Sequence, residues 1–127
     1  MKILFNMKRI AVIDDEPDIT TVLKRGLEHD GFAVDVFNDP QAALASFKPG
    51  RYDLMIIDIR MPKLNGFDLY RELKKKDSSI KVCFLTAFEI YYEEFKKMFS
   101  TIDVRCFIRK PVSISSLVNQ VNATIGS

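Results

Sequence analysis

The sequence predicts an α/β fold in which five βα units build one doubly wound parallel sheet. The first observation is that apolar runs of strand length alternate with stretches of helical periodicity along all 127 residues. The second is the run at 54–57, Leu-Met-Ile-Ile, whose unbroken apolar character suits a strand covered on both faces. The third is composition, since 47% hydrophobic and 28% charged residues are typical of a globular chain large enough for one core.

The predicted elements follow one another in strict alternation. The predicted strands cover residues 8–13, 32–37, 54–57, 80–85 and 104–108. The first two predicted helices begin at about Pro17 and Pro40, and the third runs from Gly66 to Lys76. The fourth runs roughly from Glu89 to Phe99, and we expect Ser113 to cap the last. Gly31 and Pro49-Gly50 end the first two helical units. Because each crossover is right-handed and covers the sheet, the pattern indicates helices on both faces and the flavodoxin-like strand order 2-1-3-4-5.

Apolar residues at helical spacing predict the face that each helix turns toward the core. These residues are Ile19, Val22, Leu23 and Leu27 in the first helix; Ala43, Leu44 and Phe47 in the second; Phe67, Leu69, Tyr70 and Leu73 in the third; and Ile114, Leu117, Val118 and Val121 in the last.

Polar residues follow four of the predicted strands. Asp14 and Asp15 follow the first, Asp58 the third, Thr86 the fourth and Lys110 the fifth. In an open parallel sheet these positions meet at the carboxyl-end rim, where ligands bind. Three carboxylates close together repel one another unless a cation lies among them, and hard oxygen ligands suit Mg²⁺. A carboxylate flanked by Mg²⁺, a lysine and a hydroxyl is typical of a phosphoryl-acceptor site.

Each of these residues also has an ordinary structural interpretation. Asp14 and Asp15 would cap a helix, Asp58 would begin a turn, Thr86 would begin a helix, and Lys110 would be a solvated residue at a strand end. Each of these structural interpretations is reasonable for a single residue. Because such residues occur together at four strand ends, the functional site is the favoured interpretation.

The residues resemble the receiver domains of two-component response regulators. The motifs that carry the resemblance are Asp14-Asp15, Ile57-Asp58 with Met61-Pro62 and Gly66, Thr86-Ala87, and Lys110-Pro111. They span nearly the whole chain in the order that the family has them. The resemblance implies one receiver domain over residues 1–127, with an N-terminal extension at 1–7 and no output domain in this chain.

The resemblance implies that Asp58 accepts a phosphoryl group from the phosphohistidine of a sensor histidine kinase or phosphotransfer protein. It implies that Asp15, Asp58 and the backbone carbonyl of Arg60 bind Mg²⁺, and that Asp14 acts mostly through water. Thr86 and Lys110 would contact the phosphoryl oxygens.

The resemblance also implies a switch and its neighbours. Ala87 would be small enough to let the phosphoryl group approach, and the Lys110-Pro111 peptide would be cis. Thr86 would move toward the phosphoryl group while Phe107 takes the space that Thr86 leaves. The face made by the fourth predicted helix, the fifth strand and the last helix would then change shape and bind a downstream protein, and a homodimer is also compatible with it.

Two positions beside the predicted site depart from the usual pattern. Arg60 lies two residues after Asp58, and Phe88 lies two residues after Thr86. In the family these positions modulate how fast water removes the phosphoryl group. We expect Phe88 to shield the site, whereas Arg60 either pairs with a site carboxylate or points to solvent.

The segment after Thr86 is unusually aromatic, and Phe88, Tyr92, Phe95 and Phe99 share one helical stripe. The ordinary interpretation of this stripe is core packing. The more specific interpretation is that part of it forms, with Tyr91, an exposed patch that contacts a partner protein or a second copy of the chain.

Composition limits the other possibilities. A net charge of +2 is too small to predict direct binding of nucleic acid, and no apolar run is long enough to span a membrane. Cys83 and Cys106 both lie in apolar runs, and we expect them to be small buried thiols of a reduced, cytoplasmic protein.

Three other functions fit these residues less well than a phosphorylated signalling domain that turns over only its own phosphoryl group. A phosphatase with an aspartyl-phosphate would need a second acid where Arg60 stands. A nucleotide or flavin binder would need a phosphate-binding loop in place of Asp14-Asp15-Glu16. A degenerate receiver, acting as a phosphorylation-independent interaction module, would lack a working site and stays open as the alternative.

Overall fold

The computed structural model describes residues 7–87 and 106–126. The elements are β1 (Arg9–Ile13), α1 (Pro17–His29), β2 (Ala33–Phe37), α2 (Pro40–Ser46), β3 (Leu54–Asp58), α3 (Gly66–Lys76), β4 (Val82–Thr86), β5 (Cys106–Arg109) and α4 (Ile114–Gly126). The predicted helix at 89–99, its aromatic stripe and Phe88 lie outside the described residues. Within the described ranges, no helix has the length and apolar character needed to cross a membrane.

The five strands form one parallel sheet in the order β2-β1-β3-β4-β5. The predicted doubly wound, flavodoxin-like fold is therefore confirmed. Neighbouring strands are in close register at their carboxyl ends, where Ile13 lies beside Ile57, Asp58 beside Leu85, and Thr86 beside Arg109. Residues that follow β1, β3, β4 and β5 consequently meet at one rim of the sheet.

Alternate strand residues supply two separate cores, because successive side chains point to opposite faces. On one face, Ala11, Ile57 and Phe84 pack with buried residues of α2 and α3. On the other, Ile10, Ile56 and Leu85 belong to a cluster with α1 and α4. Both faces are covered, which explains why β3 is apolar from Leu54 to Ile57.

The helices begin largely where the sequence predicts. Asn65 caps α3 by accepting a hydrogen bond at Oδ1 from the Asp68 backbone N–H at 2.9 Å. Asp39 caps α2 in the same way, and Ser113 Oγ accepts from the Ser116 N–H at the start of α4. Glu16 is the N-cap of α1, yet its side chain makes no capping bond.

One predicted core residue of α1 lies on the surface instead. Val22 is 54% exposed, whereas Leu23, Leu27 and the polar Thr20 are buried. Thr20 Oγ1 donates to the Pro17 carbonyl and accepts from Asn38 Nδ2 at 3.0 Å, so its hydroxyl is satisfied inside the protein. Apolar character alone therefore misplaced the inner face of α1, which the hydrogen-bonded Thr20 shares with Leu23 and Leu27.

The expectation of two unpaired thiols is wrong. Cys83 and Cys106 are joined by a disulfide, and the two residues lie directly opposite each other on β4 and β5. Their 23-residue separation in sequence concealed the pairing. Burial of both side chains, which the sequence did predict, is confirmed.

Candidate functional site

Three carboxylates gather at the carboxyl-end rim of the sheet. One oxygen each from Asp14, Asp15 and Asp58 lies within 4.8 Å of the other two. Asp14 is fully buried and Asp58 is 4% exposed, whereas Asp15 is half-buried. The three carboxylates repel one another, so nearby positive charge is required to keep them this close.

Lys110 brings a positive charge into direct contact with this cluster. Its Nζ lies 2.8 Å from Asp14 Oδ2 and 3.4 Å from Asp58 Oδ1. It also lies 3.4 Å from Glu16 Oε1, a carboxylate that is mostly exposed. Glu16 was not among the predicted site residues. Its position is the signal that could have identified it, because it follows Asp15 directly and is the N-cap of α1 at the same rim.

Burial and charge shift the pKa values of the buried groups. Burial, followed by repulsion from Asp14, raises the pKa of Asp58 to about 7, and the nearby Lys110 opposes this rise. Burial likewise raises the pKa of Asp14, despite its contact with Lys110. Burial alone would lower the pKa of Lys110, but its close contact with Asp14 and the charge of Asp58 together raise it. Asp58 is thus poised to gain or lose a proton near neutral pH.

Backbone and amide groups hold Asp14 in place. Its Oδ1 accepts the Glu16 N–H at 3.0 Å, and its N–H donates to the Phe37 carbonyl. Asn38 Nδ2 donates to the Asp14 carbonyl at 2.8 Å. Asn38 is a supporting residue that was not predicted from the sequence to contribute to the site. It follows β2, whose carboxyl end lies at the same rim.

Asp58 opens onto a cavity of about 170 Å³. The cavity is lined by Glu16, Asp58, Ile59, Arg60, Thr86, Ala87 and Lys110. This cavity therefore brings together the predicted phosphoryl acceptor Asp58 with the predicted phosphoryl-binding residues Thr86 and Lys110. Two predicted modulators, Arg60 and Ala87, also line it. Its size fits a group of only a few heavy atoms, such as phosphoryl, and is too small for a nucleotide.

The two strand ends beside this cavity are directly bonded. The Lys110 N–H donates to the Thr86 carbonyl at 2.8 Å, which fixes the backbone of the lysine relative to that of the threonine. The Lys110-Pro111 peptide is cis, as the resemblance implied. Arg60 is exposed at the mouth of the cavity.

Phe107 lies on the face of the sheet that α2 and α3 cover. Its half-buried ring packs against the Phe84 ring, with centroids 5.7 Å apart and ring planes 34° from parallel. Phe84 is itself wedged edge-on between Phe67 and Tyr70. The aromatic predicted to change position thus belongs to a ring cluster that continues into α3.

Gly66 brings α3 close to the strand end that carries Asp58. A Cβ at Gly66 would overlap the Asp58 carbonyl oxygen and lie 2.9 Å from Ile59 Cα. The Gly66 N–H donates to the Ile59 carbonyl at 2.8 Å. No other residue allows this approach, which accounts for the Gly in the motif that follows Asp58.

The donor set at the rim fits a hard divalent cation. Carboxylate oxygens of the kind that Mg²⁺ prefers surround a small volume. Asp14 Oδ2 is buried, and although Lys110 Nζ is close, no well-directed hydrogen bond reaches it from the described residues. A buried acceptor oxygen without a well-directed hydrogen bond is suited to bind a metal ion, directly or through water.

The comparisons with known proteins agree with this geometry. The family model for the response regulator receiver domain matches residues 10–122, and the chain therefore belongs to the receiver-domain family of two-component signalling. The transcriptional regulatory protein TrcR of Mycobacterium tuberculosis is 29% identical over 92% of this chain and 45% of its own. The transcriptional regulatory protein PcoR of Escherichia coli is 29% identical over 94% and 52%. The chain spans about half the length of these curated relatives.

Solved structures give the same result. The response regulator TrrA of Thermotoga maritima, in complex with Mg²⁺-BeF, is 33% identical, with a TM-score of 0.79 over 93% of this chain and 99% of that one. The non-phosphorylated receiver domain of HemR from Leptospira biflexa is 26% identical, with a TM-score of 0.82 over 94% and 95%. The family and the fold are thus shown by both sequence and structure.

Proposed function

We propose that this receiver domain accepts a phosphoryl group on Asp58 from the phosphohistidine of a sensor histidine kinase or a phosphotransfer protein. The observation that carries the proposal is Asp58 itself: buried, 3.4 Å from Lys110 Nζ and open to a phosphoryl-sized cavity. In the transfer, an Asp58 carboxylate oxygen attacks phosphorus as the phosphorus–nitrogen bond of the donor breaks. The bonding pair returns to the imidazole.

Asp15, Asp58 and the Arg60 carbonyl would hold Mg²⁺, with Asp14 acting through water. When bound, the ion neutralises the charge that develops on the phosphoryl oxygens. This assignment is supported by the carboxylate cluster and by the buried acceptor on Asp14. It is further supported by TrrA, a relative whose structure holds Mg²⁺-BeF.

Lys110 and Thr86 would bind the phosphoryl oxygens. Lys110 is now shared among Asp14, Asp58 and Glu16, so it needs to turn only a short way to reach a group on Asp58. Thr86 lines the same cavity and offers a hydroxyl donor. Both groups stabilise charge that is greatest during the transfer, which is where such contacts accelerate a reaction.

The phosphoryl group would act as a switch through Thr86 and Phe107. It adds about 1.5–2 negative charges and new acceptor oxygens beside Thr86. Movement of Thr86 toward them would free space for the half-buried ring of Phe107. The face built from residues 89–99, β5 and α4 would then change shape for a downstream protein or a second copy of the chain.

Arg60, Ala87 and Phe88 would set how long the phosphorylated state lasts. Arg60 and Ala87 line the cavity, while Phe88 lies outside the described residues. We expect Phe88→Ala to shorten the lifetime of phosphorylated Asp58 by admitting water. An unchanged half-life, followed by phosphate release, would contradict shielding by Phe88.

Catalysis by this chain would be confined to its own phosphorylation and dephosphorylation. We place it in the cytoplasm, where a histidine kinase would present its phosphohistidine. Residues 1–127 would act as a single receiver domain, with no role for direct nucleic-acid contact within it.

The test is intact mass after incubation with acetyl phosphate. The expected result is one phosphoryl adduct that requires both Mg²⁺ and Asp58, so that Asp58→Asn remains unlabelled. Asp30→Asn, which alters an exposed carboxylate at the end of α1, is the matched control and should label normally.

Absence of an adduct, together with failure to bind beryllofluoride and Mg²⁺, would overturn the proposal in favour of a phosphorylation-independent module. Binding of beryllofluoride without a detectable adduct would instead support a working site whose phosphoryl group hydrolyses quickly.

A further inference from the structure

The disulfide joins two strands at a place where a bond requires no rearrangement. Cys83 and Cys106 are register partners on β4 and β5, and their Cα atoms are 4.5 Å apart. Neighbouring strands ordinarily lie about 4.7–4.9 Å apart. Both side chains point into the core that α1 and α4 cover. The strand pairing therefore presents the two sulfurs to each other whether or not they are bonded.

The two cysteines differ in their access to solvent. Cys83 lies on β4, between β3 and β5, and is completely buried. Cys106 lies on β5, which is an edge strand, and is 5% exposed. An edge strand is held by hydrogen bonds on one side only, so it opens more readily than an interior one. A reagent in solution consequently meets Cys106 first.

We propose that Cys83 and Cys106 form a reversible thiol–disulfide modification site, which thiols and disulfides of the glutathione class enter through Cys106. A disulfide that persists in a reducing compartment is usually transient or redox-sensing rather than structural. Because we place the protein in the cytoplasm, we expect this bond to be regulatory rather than structural.

The exchange balances without a metal or a further oxidant. In oxidation, the Cys106 thiolate attacks one sulfur of the small disulfide and releases one small thiol. The Cys83 thiolate then attacks the Cys106 sulfur of the mixed disulfide and releases the second thiol. The protein loses two electrons and two protons, and both protons end on the released thiols. Reduction runs through the same mixed disulfide in the opposite direction.

The bond lies close to the phosphoacceptor rim. Cys83 precedes Thr86 by three residues on β4, and Cys106 precedes Lys110 by four residues at the end of β5. In the oxidised form, β5 is fixed to β4 by the covalent bond at one end and by the hydrogen bond from Lys110 to Thr86 at the other. Reduction leaves the edge strand, which positions Lys110, held by hydrogen bonds and packing alone.

The first test counts free thiols by alkylation in denaturant and intact mass. After equilibration with oxidised glutathione, we expect no alkylation, and after equilibration with excess reduced glutathione, two alkylations. Two alkylated thiols after the oxidising treatment would overturn the site. Resistance of the folded protein to the reducing treatment would overturn its reversibility.

Single variants test the route of entry. Cys83→Ala retains the accessible sulfur and should accumulate one mixed disulfide with glutathione. Cys106→Ala retains the buried sulfur and should remain unmodified over the same time. The opposite pattern would overturn entry through Cys106. The wild-type thiol counts do not depend on either variant folding.

A last measurement, which rests on the proposed function, follows acetyl phosphate labelling of the oxidised and reduced wild-type protein. We expect the reduced form to label with a smaller rate constant, and a Cys83→Ala/Cys106→Ala double variant to label at one rate in both buffers. Equal rates for the two wild-type forms would overturn the coupling to the rim. Absence of labelling in both forms would count against the proposed function, while the thiol counts would still decide the modification site.

Discussion

Asp58 is a carboxylate that the fold places where its charge is unfavourable. Burial and the neighbouring Asp14 both act against its ionised form, and Lys110 offsets only part of this cost. In the transfer that we propose, this carboxylate must nonetheless be ionised to attack phosphorus. The residue would therefore destabilise the protein while serving the proposed chemistry, as is common where function requires a perturbed pKa.

Asp58→Asn should stabilise the metal-free protein at pH 7.5 by roughly 2–4 kcal/mol, because it removes a buried negative charge whose raised pKa corresponds to about 4 kcal/mol at most. The pKa of Asp58 is raised from 3.8 to about 7, so the folded state binds a proton that the unfolded state has lost between those values. Stability of the wild type should fall as pH rises through this window, and the variant should lose that part of the pH dependence.

Urea unfolding at several pH values without Mg²⁺ measures the effect of Asp58→Asn, with Asp30→Asn as an exposed control. A variant less stable than the wild type at pH 7.5 would contradict this account of the charge.

Gly66→Ala should destabilise the protein by about 1–3 kcal/mol, since the added Cβ meets backbone rather than a movable side chain. The displaced strand end carries Asp58, so phosphoryl labelling should also slow. Gly126→Ala is the matched control, because no atom lies within 4 Å of its added Cβ. Urea unfolding and acetyl phosphate labelling of both variants measure the two effects, and equal stability of the two variants would contradict the close approach.

Among the elements, α3 shows how a single cap contributes to the site. Asn65 fixes the first turn of α3, and the next residue, Gly66, contacts the strand end that carries Asp58. Asn65→Ala should cost about 1 kcal/mol of stability, because the Asp68 N–H loses its partner. Asn119→Ala, an exposed position within α4, should change stability by a few tenths at most. Thermal or urea unfolding compares the two, and a loss at Asn119 as large as that at Asn65 would contradict the capping role.

The order and type of these elements could be predicted from sequence, and α3 was predicted to the residue. Apolar runs bounded by Gly, Pro and Asp define strands and helices locally, which is why this part succeeded. The buried position of Thr20 was not predicted, because its hydroxyl is satisfied by a hydrogen bond from Asn38, a residue from another part of the chain. Periodicity contains no information about such a bond.

The rim residues were found because parallel topology converts positions in sequence into positions in space. Asp58 and Thr86 end strands, and Asp14 and Lys110 directly follow strands, so the predicted sheet was sufficient to bring these residues together. The contact of Glu16 with Lys110 and the bond between Cys83 and Cys106 depend on side-chain reach and on register. Neither property is visible before the strands are aligned.

For the whole molecule, the disulfide closes a loop that spans 23 positions of the chain. Closing a loop of this size restricts the unfolded state and thereby raises the free energy of unfolding by about 3 kcal/mol. Reduction should lower the free energy of unfolding by about that amount. Denaturant curves with and without a thiol reductant measure the change. The Cys83→Ala/Cys106→Ala double variant should not respond to reductant, and a response in that variant would show that the reductant acts elsewhere.

The strand order also has a consequence for biosynthesis. A ribosome delivers β1, β3 and β4 before β5, and β5 then occupies the outer edge of the sheet. A nascent chain that has emerged as far as β4 already holds Asp14 and Asp58 but lacks the ammonium group that offsets their repulsion. Lys110 arrives with the last strand, so the ability to receive a signal should appear only when translation has completed the sheet.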